Sequence, residues 1–274
     1  MAQGYRAVFG SWNMTWLRLL SVFFRLGALN ELQYRVNFFI QLLQSLLGLG
    51  TALAGLGVIF SHTKSLGGWR SDQLLAVLGV YFLVGGGINL VIQPSMQRLM
   101  EDVRQGTLDF TLTKPRDAQL LISVRQMQIW KLIDILLGTG VLLIALLRLA
   151  HAVGPGEVAG FALSLVAGAA IVYSFWLMLA TCCFWFVRID NILVIFQSMY
   201  EAGRWPVTIY PGALRWALTF LVPVAFAVTI PAEALTNRLT LQALVGAGAL
   251  AVALMATSRW FWSVGIRHYT GASA

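Results

Sequence analysis

The chain has 274 residues, of which 58% are hydrophobic and only 11% charged, and its mean hydropathy is +0.76. A soluble domain carries about 25% charged residues, so composition excludes a water-soluble globule and makes the bilayer the main solvent. The net charge of +8 and the pI near 10.0 require no nucleic-acid partner, because basic residues at span ends set topology and meet anionic lipid.

Residues Ala7 to Glu31 place Trp12, Trp16, Leu19, Leu20, Phe23 and Leu26 at near-helical spacing, with Arg18, Arg25 and Asn30 between them. Tryptophan and arginine suit the headgroup layer. The pattern predicts an interfacial helix along the inner surface over residues 1–35, with a loosely ordered basic tail as the alternative. Arg18 and Arg25 interrupt the apolar run, so no cleavable signal peptide is expected and the N-terminus is expected to be retained.

A helix needs roughly 20 apolar residues to cross a hydrocarbon core of about 30 Å. Six spans are predicted, near Val36 to Phe60, Leu74 to Ile92, Leu132 to Ala150, Val158 to Val187, Leu214 to Ile230 and Leu241 to Val264. They form one all-α membrane domain over residues 36–274. In the first span, Gly48 with Ala52, Gly50 with Ala54 and Thr51 with Gly55 are small-residue pairs that admit a neighbouring helix. The fourth span is crowded with Tyr173, Phe175, Trp176, Phe184, Trp185 and Phe186, read as core or lipid-facing packing or else as an aromatic lining for substrate. Cys182 and Cys183 lie side by side in it and read as packing residues.

After the fourth span, Ile189, Ile192, Leu193, Phe196, Met199 and Tyr200 share one helical face. This predicts a second surface helix on the inner side, or equally a continuation of the fourth span. Pro211, Pro223 and Pro231 punctuate the stretch from 211 to 231 and favour a kink. With both termini inside, fifteen Lys and Arg, Arg204 and Arg215 among them, fall on the inner side. Only Lys64, Arg70, Arg148 and Arg238 fall outside. The bias predicts a multi-pass protein with cytoplasmic termini.

Reactive chemistry is sparse. His62, His151 and His268 sit at span ends on different sides and do not converge on a metal, and no Walker phosphate loop is present. Asp134 is the one acid within a predicted span, a possible functional group that also has Lys131 beside it for a local ion pair. No cofactor is expected in the chain, and if it moves something uphill the energy is expected to arrive from outside the chain.

The charged stretch over residues 93–131 is therefore the predicted working part. Met96, Leu99, Met100 and Val103 form a helical stripe, with Arg98, Glu101, Asp102 and Arg104 around it. A short amphipathic helix of this kind suits docking in a groove of a soluble partner, and otherwise reads as a solvated linker.

The adjoining stretch, Arg104-Gln-Gly-Thr-Leu-Asp-Phe-Thr-Leu-Thr-Lys-Pro115, resembles the Gly-x-Leu-Asp-x-x-Leu-x-x-Pro signature of ABC-2 type permease subunits. Arg204-Trp205-Pro206, Ile209-Tyr210-Pro211, Leu214-Arg215, Phe220 to Phe226 and Pro231-Ala232 are similar to the arginine and proline pattern of the same family. The resemblance implies a type V exporter-like fold with six transmembrane helices, an N-terminal connecting helix and a cytoplasmic coupling helix. It implies an exporter subunit of a cell membrane, that of a bacterial inner membrane. Its partners would be a second permease copy or a sister permease and two separately encoded ATPases, which would bind ATP and Mg. Carried onto this chain, the coupling element is Met96 to Arg104, with Gly106, Asp109 and Pro115 shaping the turn back. Gly106 would take a positive φ, Asp109 would cap a turn and Pro115 would stop it. A membrane anchor that recruits partners and moves nothing shares these motifs.

Overall fold

The computed structural model describes residues 35–115, 117–149, 153–186 and 190–269, so the interfacial helix read at Ala7 to Glu31 lies outside the described residues. The described residues form a helical bundle with two loop-bearing ends. The upper end holds the turn at residues 63–70 and the lower end the segment 105–128.

Helix α1, Arg35–His62, rises along one side of the bundle. It is barely covered, with 6% of its most apolar window buried, and nothing approaches within 4 Å of a Cβ placed on Gly48, Gly50 or Gly55. Among the described residues these glycines meet no neighbour, while Ala52, the partner of Gly48, packs against the core.

Helix α2, Ser71–Arg104, descends as one rod of 34 residues. No break separates the second span from the predicted coupling helix. A single π turn, Ile88–Ile92, lies between the α-helical parts Ser71–Gly87 and Gln93–Arg104. Pro94 explains the local irregularity: it lacks an N–H for the carbonyl four residues back. That carbonyl, of Leu90, accepts the Gln128 backbone N–H at 2.9 Å instead. The proline thus ties the returning chain to the rod.

Helix α3, Ile129–Arg148, rises against α2. The two backbones meet at glycines, for a Cβ on Gly138 would stand 2.4 Å from the Leu83 nitrogen and one on Gly79 would stand 2.7 Å from the Leu142 nitrogen. Helix α4, Pro155–Phe184, descends with Trp176 in the core. Tyr173 is not a free lining residue either, because its hydroxyl holds Ser123 at 2.7 Å and accepts from Gln119 at 3.2 Å. Cys182 and Cys183 open the closing 3-10 turn of α4 as half-buried thiols.

The greatest departure from expectation lies between residues 190 and 238. Helix α5, Asp190–Tyr200, does not lie on a surface. Leu193 is buried, Phe196 packs edge-on to Phe175 at 4.7 Å, and the Tyr200 hydroxyl donates to the Tyr81 carbonyl at 3.0 Å, inside the bundle. The chain continues upward through 3-10 turns at Glu201–Arg204 and Val207–Ile209. It reaches the upper end where Thr208 accepts from Trp69 Nε1 at 3.0 Å. Residues 190–210 are therefore a crossing.

The predicted fifth span is instead a hairpin of α6, Gly212–Leu221, and α7, Ala225–Leu235, bent by 80°. Its far end is again at the top, where the Arg238 guanidinium donates to Gln73 at 2.8 Å and covers the Trp69 ring at 4.5 Å. Entering and leaving by one face, the hairpin is re-entrant. The bend is written in Val222-Pro223. A residue before proline is barred from the α region, and Val222 sits at φ −124°, ψ 105°. The tip wedges into α4 at Gly168, where a Cβ would meet the Phe226 carbonyl oxygen at 2.4 Å. Helix α8, Leu241–His268, closes the bundle against α4.

This rearrangement removes Arg204 and Arg215 from the fifteen basic residues assigned to the inner side, without reversing the bias.

Candidate functional site

At the lower end the chain folds around Asp102. Its side chain is 1% exposed and is ringed by donors: Arg98 Nε at 3.0 Å, the Thr107 hydroxyl at 3.2 Å and Arg125 Nη1. Arg125 also donates to the Thr111 hydroxyl at 3.0 Å, and the Thr107 N–H reaches the Asp102 carbonyl at 2.9 Å. One buried carboxylate thus joins the end of α2 to both arms of the segment 105–125. A buried charge is tolerable only when paired and hydrogen-bonded in this way.

The predicted coupling residues divide accordingly. Met96, Leu99 and Met100 are 0%, 1% and 5% exposed, and so pack into this subunit rather than present a docking stripe; the reason is that α2 continues unbroken and keeps its apolar face toward the bundle. Val103 is half-buried beside them, and Asp102 is the hub just described. Glu101 pairs with Arg104 along the helix, and both remain accessible, as does Arg98 in part. Gly106 takes φ +69°, the left-handed turn that a Cβ would strain. Asp109 is the first residue of the short helix Asp109–Leu112 and makes no cap, since the cap position is Leu108. Pro115 lies beyond that helix on an exposed turn.

What the lower end presents outward is a different set from the methionine stripe. Phe110 is 73% exposed, with Arg104, Gln105, Thr113 and Lys114 exposed around it. The segment is clamped from the other side by α8. Arg259 Nη1 reaches Asp117 Oδ1 at 2.9 Å and Gln119 Oε1 at 2.8 Å. The Arg259 guanidinium holds the Asp117 carboxyl below the usual carboxylate range. A carboxylate depressed in the folded state contributes stability that is full above its unfolded value, about 3.9, and is lost as pH falls through the folded value. Acidification below about pH 4 is therefore expected to release this clamp, read as faster amide hydrogen exchange of the segment relative to the intrinsic rate at each pH. Asp117→Asn should show no such step between neutral pH and pH 3; the same step in that variant would discard the clamp as its cause.

Asp134 has the partner expected of it. Lys131 Nζ lies 3.4 Å from its carboxylate, in the first turn of the α-helical part of α3 near the lower end.

A second charged group sits where none was expected. Arg204 has its guanidinium carbon 5.6 Å from the centre of the Tyr81 ring, and Tyr81 stacks on Tyr200 with centroids 5.0 Å apart. Tyr81 is ten residues into α2, so about 15 Å below its upper end, within the apolar part of that rod. Glu201 is the acid within reach, at 3.8 Å, and it is 61% exposed. The Nε of Arg204 is buried without a hydrogen-bond partner. Charges at this depth are costly and mark functional positions. Hydropathy alone puts both residues in an inner loop; the signal that finds them is Pro223, which splits the run from 214 to 230 and leaves 190–210 to cross.

Residues 46–273 match the family described as ABC-2 family transporter protein. The chain belongs to that family. In this ABC-2 family transporter protein the match begins within α1 and takes in α2 to α8 whole. No curated protein and no solved structure matches the chain. Permeases of this family are non-catalytic membrane subunits that generally work with ABC ATPase subunits, and the multi-pass helical bundle agrees with that assignment.

Proposed function

We propose that this chain is the membrane-spanning subunit of an ATP-driven exporter. It pairs with a second copy or a sister permease and receives two ATPase subunits on its lower end, which is cytoplasmic. The observation that carries the reading is the continuity of α2. A rod of 34 residues is about 51 Å long, well beyond a core of about 30 Å. Asp102 fixes the lower loop to one end of it, and Tyr81 meets Arg204 further along. A push on the loop by closing ATPases becomes a shift of a stiff helix within the membrane, in keeping with rigid-body switching of packed elements. ATP and Mg belong to the partner in this scheme, and this chain contributes no catalytic group.

The contact with the ATPase falls to Phe110, framed by Arg104 and Lys114. Aromatic anchors in a polar rim dominate such interfaces. Phe110→Ala combined with Arg104→Glu is expected to lower ATP-driven transport by the reconstituted complex about tenfold or more, with the thermal midpoint of the permease unchanged. Full transport by that variant would sink the reading. ATPase activity insensitive to every candidate substrate would favour an anchor that moves nothing.

A further inference from the structure

The space beside Arg204 is a cavity of about 160 Å³. Its walls are Thr51, Ala52, Gly55 and Leu56 of α1, Leu78 of α2, and Trp205 with Arg204 itself from the fifth crossing. Three properties make it a site rather than a packing gap.

The first is its charge. Among the described residues Arg204 is the only charged side chain in the lining, and its Nε is buried without a partner. The Thr51 hydroxyl proton is already committed to the Gly48 carbonyl at 3.0 Å, which leaves Arg204 as the charged donor to any group that enters, with Trp205 as a neutral one beside it. A part-buried guanidinium with an unsatisfied Nε favours an anion, which it can bind in a planar, two-pronged fashion.

The second is the state of its acid. Glu201 stands 3.8 Å away and is mostly exposed, outside ordinary hydrogen-bond range. An incoming anion therefore competes with a loose partner rather than a closed bidentate pair. The Tyr81 ring lies against one side of the cation and its hydroxyl interacts with the guanidinium, while Nε is left without an acceptor.

The third is size and access. A cavity near 150 Å³ accommodates one six-membered ring, so this one suits a carboxylate or phosphate head and not a drug-sized molecule. The α1 wall combines Thr51, Ala52 and Gly55 with Leu56, on a helix of which little is buried. Leu53 and Val58, 37% and 63% exposed, extend that wall as apolar surface along which a hydrocarbon tail can lie.

We propose that Arg204 holds the anionic head of a membrane-soluble amphiphile in the cavity between α1, α2 and the fifth crossing, with its tail along α1. This goes beyond the exporter reading, since binding here does not depend on the chain moving anything or on an ATPase being present.

Trp205 in the lining supplies the probe. The full chain is placed in phosphatidylcholine nanodiscs and titrated with dibromostearate and with its uncharged counterpart, dibromostearyl alcohol. Bromine quenches only nearby tryptophan, and the signal lost in Trp205→Phe isolates the cavity from the other tryptophans. The acid is expected to quench Trp205 at about tenfold lower concentration than the alcohol. Arg204→Gln should abolish that preference, Arg204→Lys should keep part of it, and Glu201→Gln should tighten binding of the acid by removing the competing carboxylate. A merely structural Arg204–Glu201 pair predicts weakening from both variants. Brominated phosphatidylglycerol in place of the fatty acid separates the sources: preference for it over brominated phosphatidylcholine names a bilayer lipid, and preference for stearate alone names a single-chain amphiphile. Equal quenching by acid and alcohol in the unaltered chain, or an unchanged preference in Arg204→Gln, overturns the proposal. If Arg204→Gln does not fold, the acid-to-alcohol ratio and the Glu201→Gln shift decide it.

Discussion

Replacing Asp102 with alanine is expected to cost about 3 kcal/mol and to free the segment 105–125 from α2. The carboxylate is 1% exposed, whereas Arg98 and Arg125 retain 41% and 31% of their side-chain exposure. Their charges stay partly hydrated when the acid is removed, which keeps the loss at the low end of what breaking a buried pair costs. The loss is nevertheless concentrated, because the same carboxylate receives Thr107 and Arg125, and Arg125 in turn reaches Thr111. Thermal unfolding of the purified chain and chymotrypsin cleavage after the exposed Phe110 are the measurements. Asp102→Asn, which keeps the shape and one acceptor, should recover part of both. An unchanged melting midpoint with unchanged cleavage in Asp102→Ala would remove the hub from the account. Under the exporter reading, the variant should also lose transport more completely than it loses stability, since the rod persists but nothing fixes the loop to it.

Adding a single methyl group at Gly138 should be at least as disruptive. Its Cβ would lie 2.4 Å from the Leu83 nitrogen and 2.8 Å from the Gly79 carbonyl oxygen. These are backbone atoms that cannot rotate away, so α2 and α3 must separate along their shared face. Overpacking of this kind costs about 3 kcal/mol or more when rigid elements have to move, and the greater helix propensity of alanine returns only about 1 kcal/mol. Gly140 is the internal control. It lies two residues along the same helix with nothing within 4 Å of its Cβ, so Gly140→Ala is expected to be neutral or slightly stabilising. Melting midpoints of the two variants in one detergent decide the matter: equal values mean that α2 and α3 are not held backbone to backbone. Because α2 carries the lower loop at one end and Tyr81 within the membrane, the Gly138 variant is also expected to disturb both candidate sites together.

Much of the architecture can be read from residues alone. The apolar runs from 36 to 60, 132 to 150, 158 to 187 and 241 to 264 each become a helix displaced by only a few residues at the ends. Bilayer thickness fixes the length of such a run, and every backbone polar group in it must be satisfied locally. Gly106 was legible for a similar reason, since a left-handed turn there is a local backbone matter. The family signature around Gly106 and Asp109 and the family match over 46–273 point the same way.

The lower site and the membrane-depth site were less legible, for different reasons. Met96, Leu99 and Met100 do form the amphipathic stripe that the spacing predicts, but periodicity gives a face without naming what it faces. The unbroken α2 turns that face into its own subunit and leaves Phe110 and Arg104 outward. For residues 190–238, two segments compete for one crossing. The run from 214 to 230 is the more apolar, and Asp190 to Tyr200 looks amphipathic. Hydropathy cannot see that Pro223 holds Val222 extended and folds the greasier run back on itself.

What the sequence determined without help is the solvent of the chain, the family and the position of the spans that have no competitor, because these depend on composition and local backbone chemistry. What only the tertiary structure decided is which segment runs from the lower end to the upper as the fifth crossing, and therefore that Arg204 meets Tyr81 beside α2 while Asp102 is buried as a hub. Those outcomes depend on contacts between residues far apart in the chain, such as Trp69 with Thr208 and Gln73 with Arg238, and no local pattern encodes on which face of the bundle such partners meet.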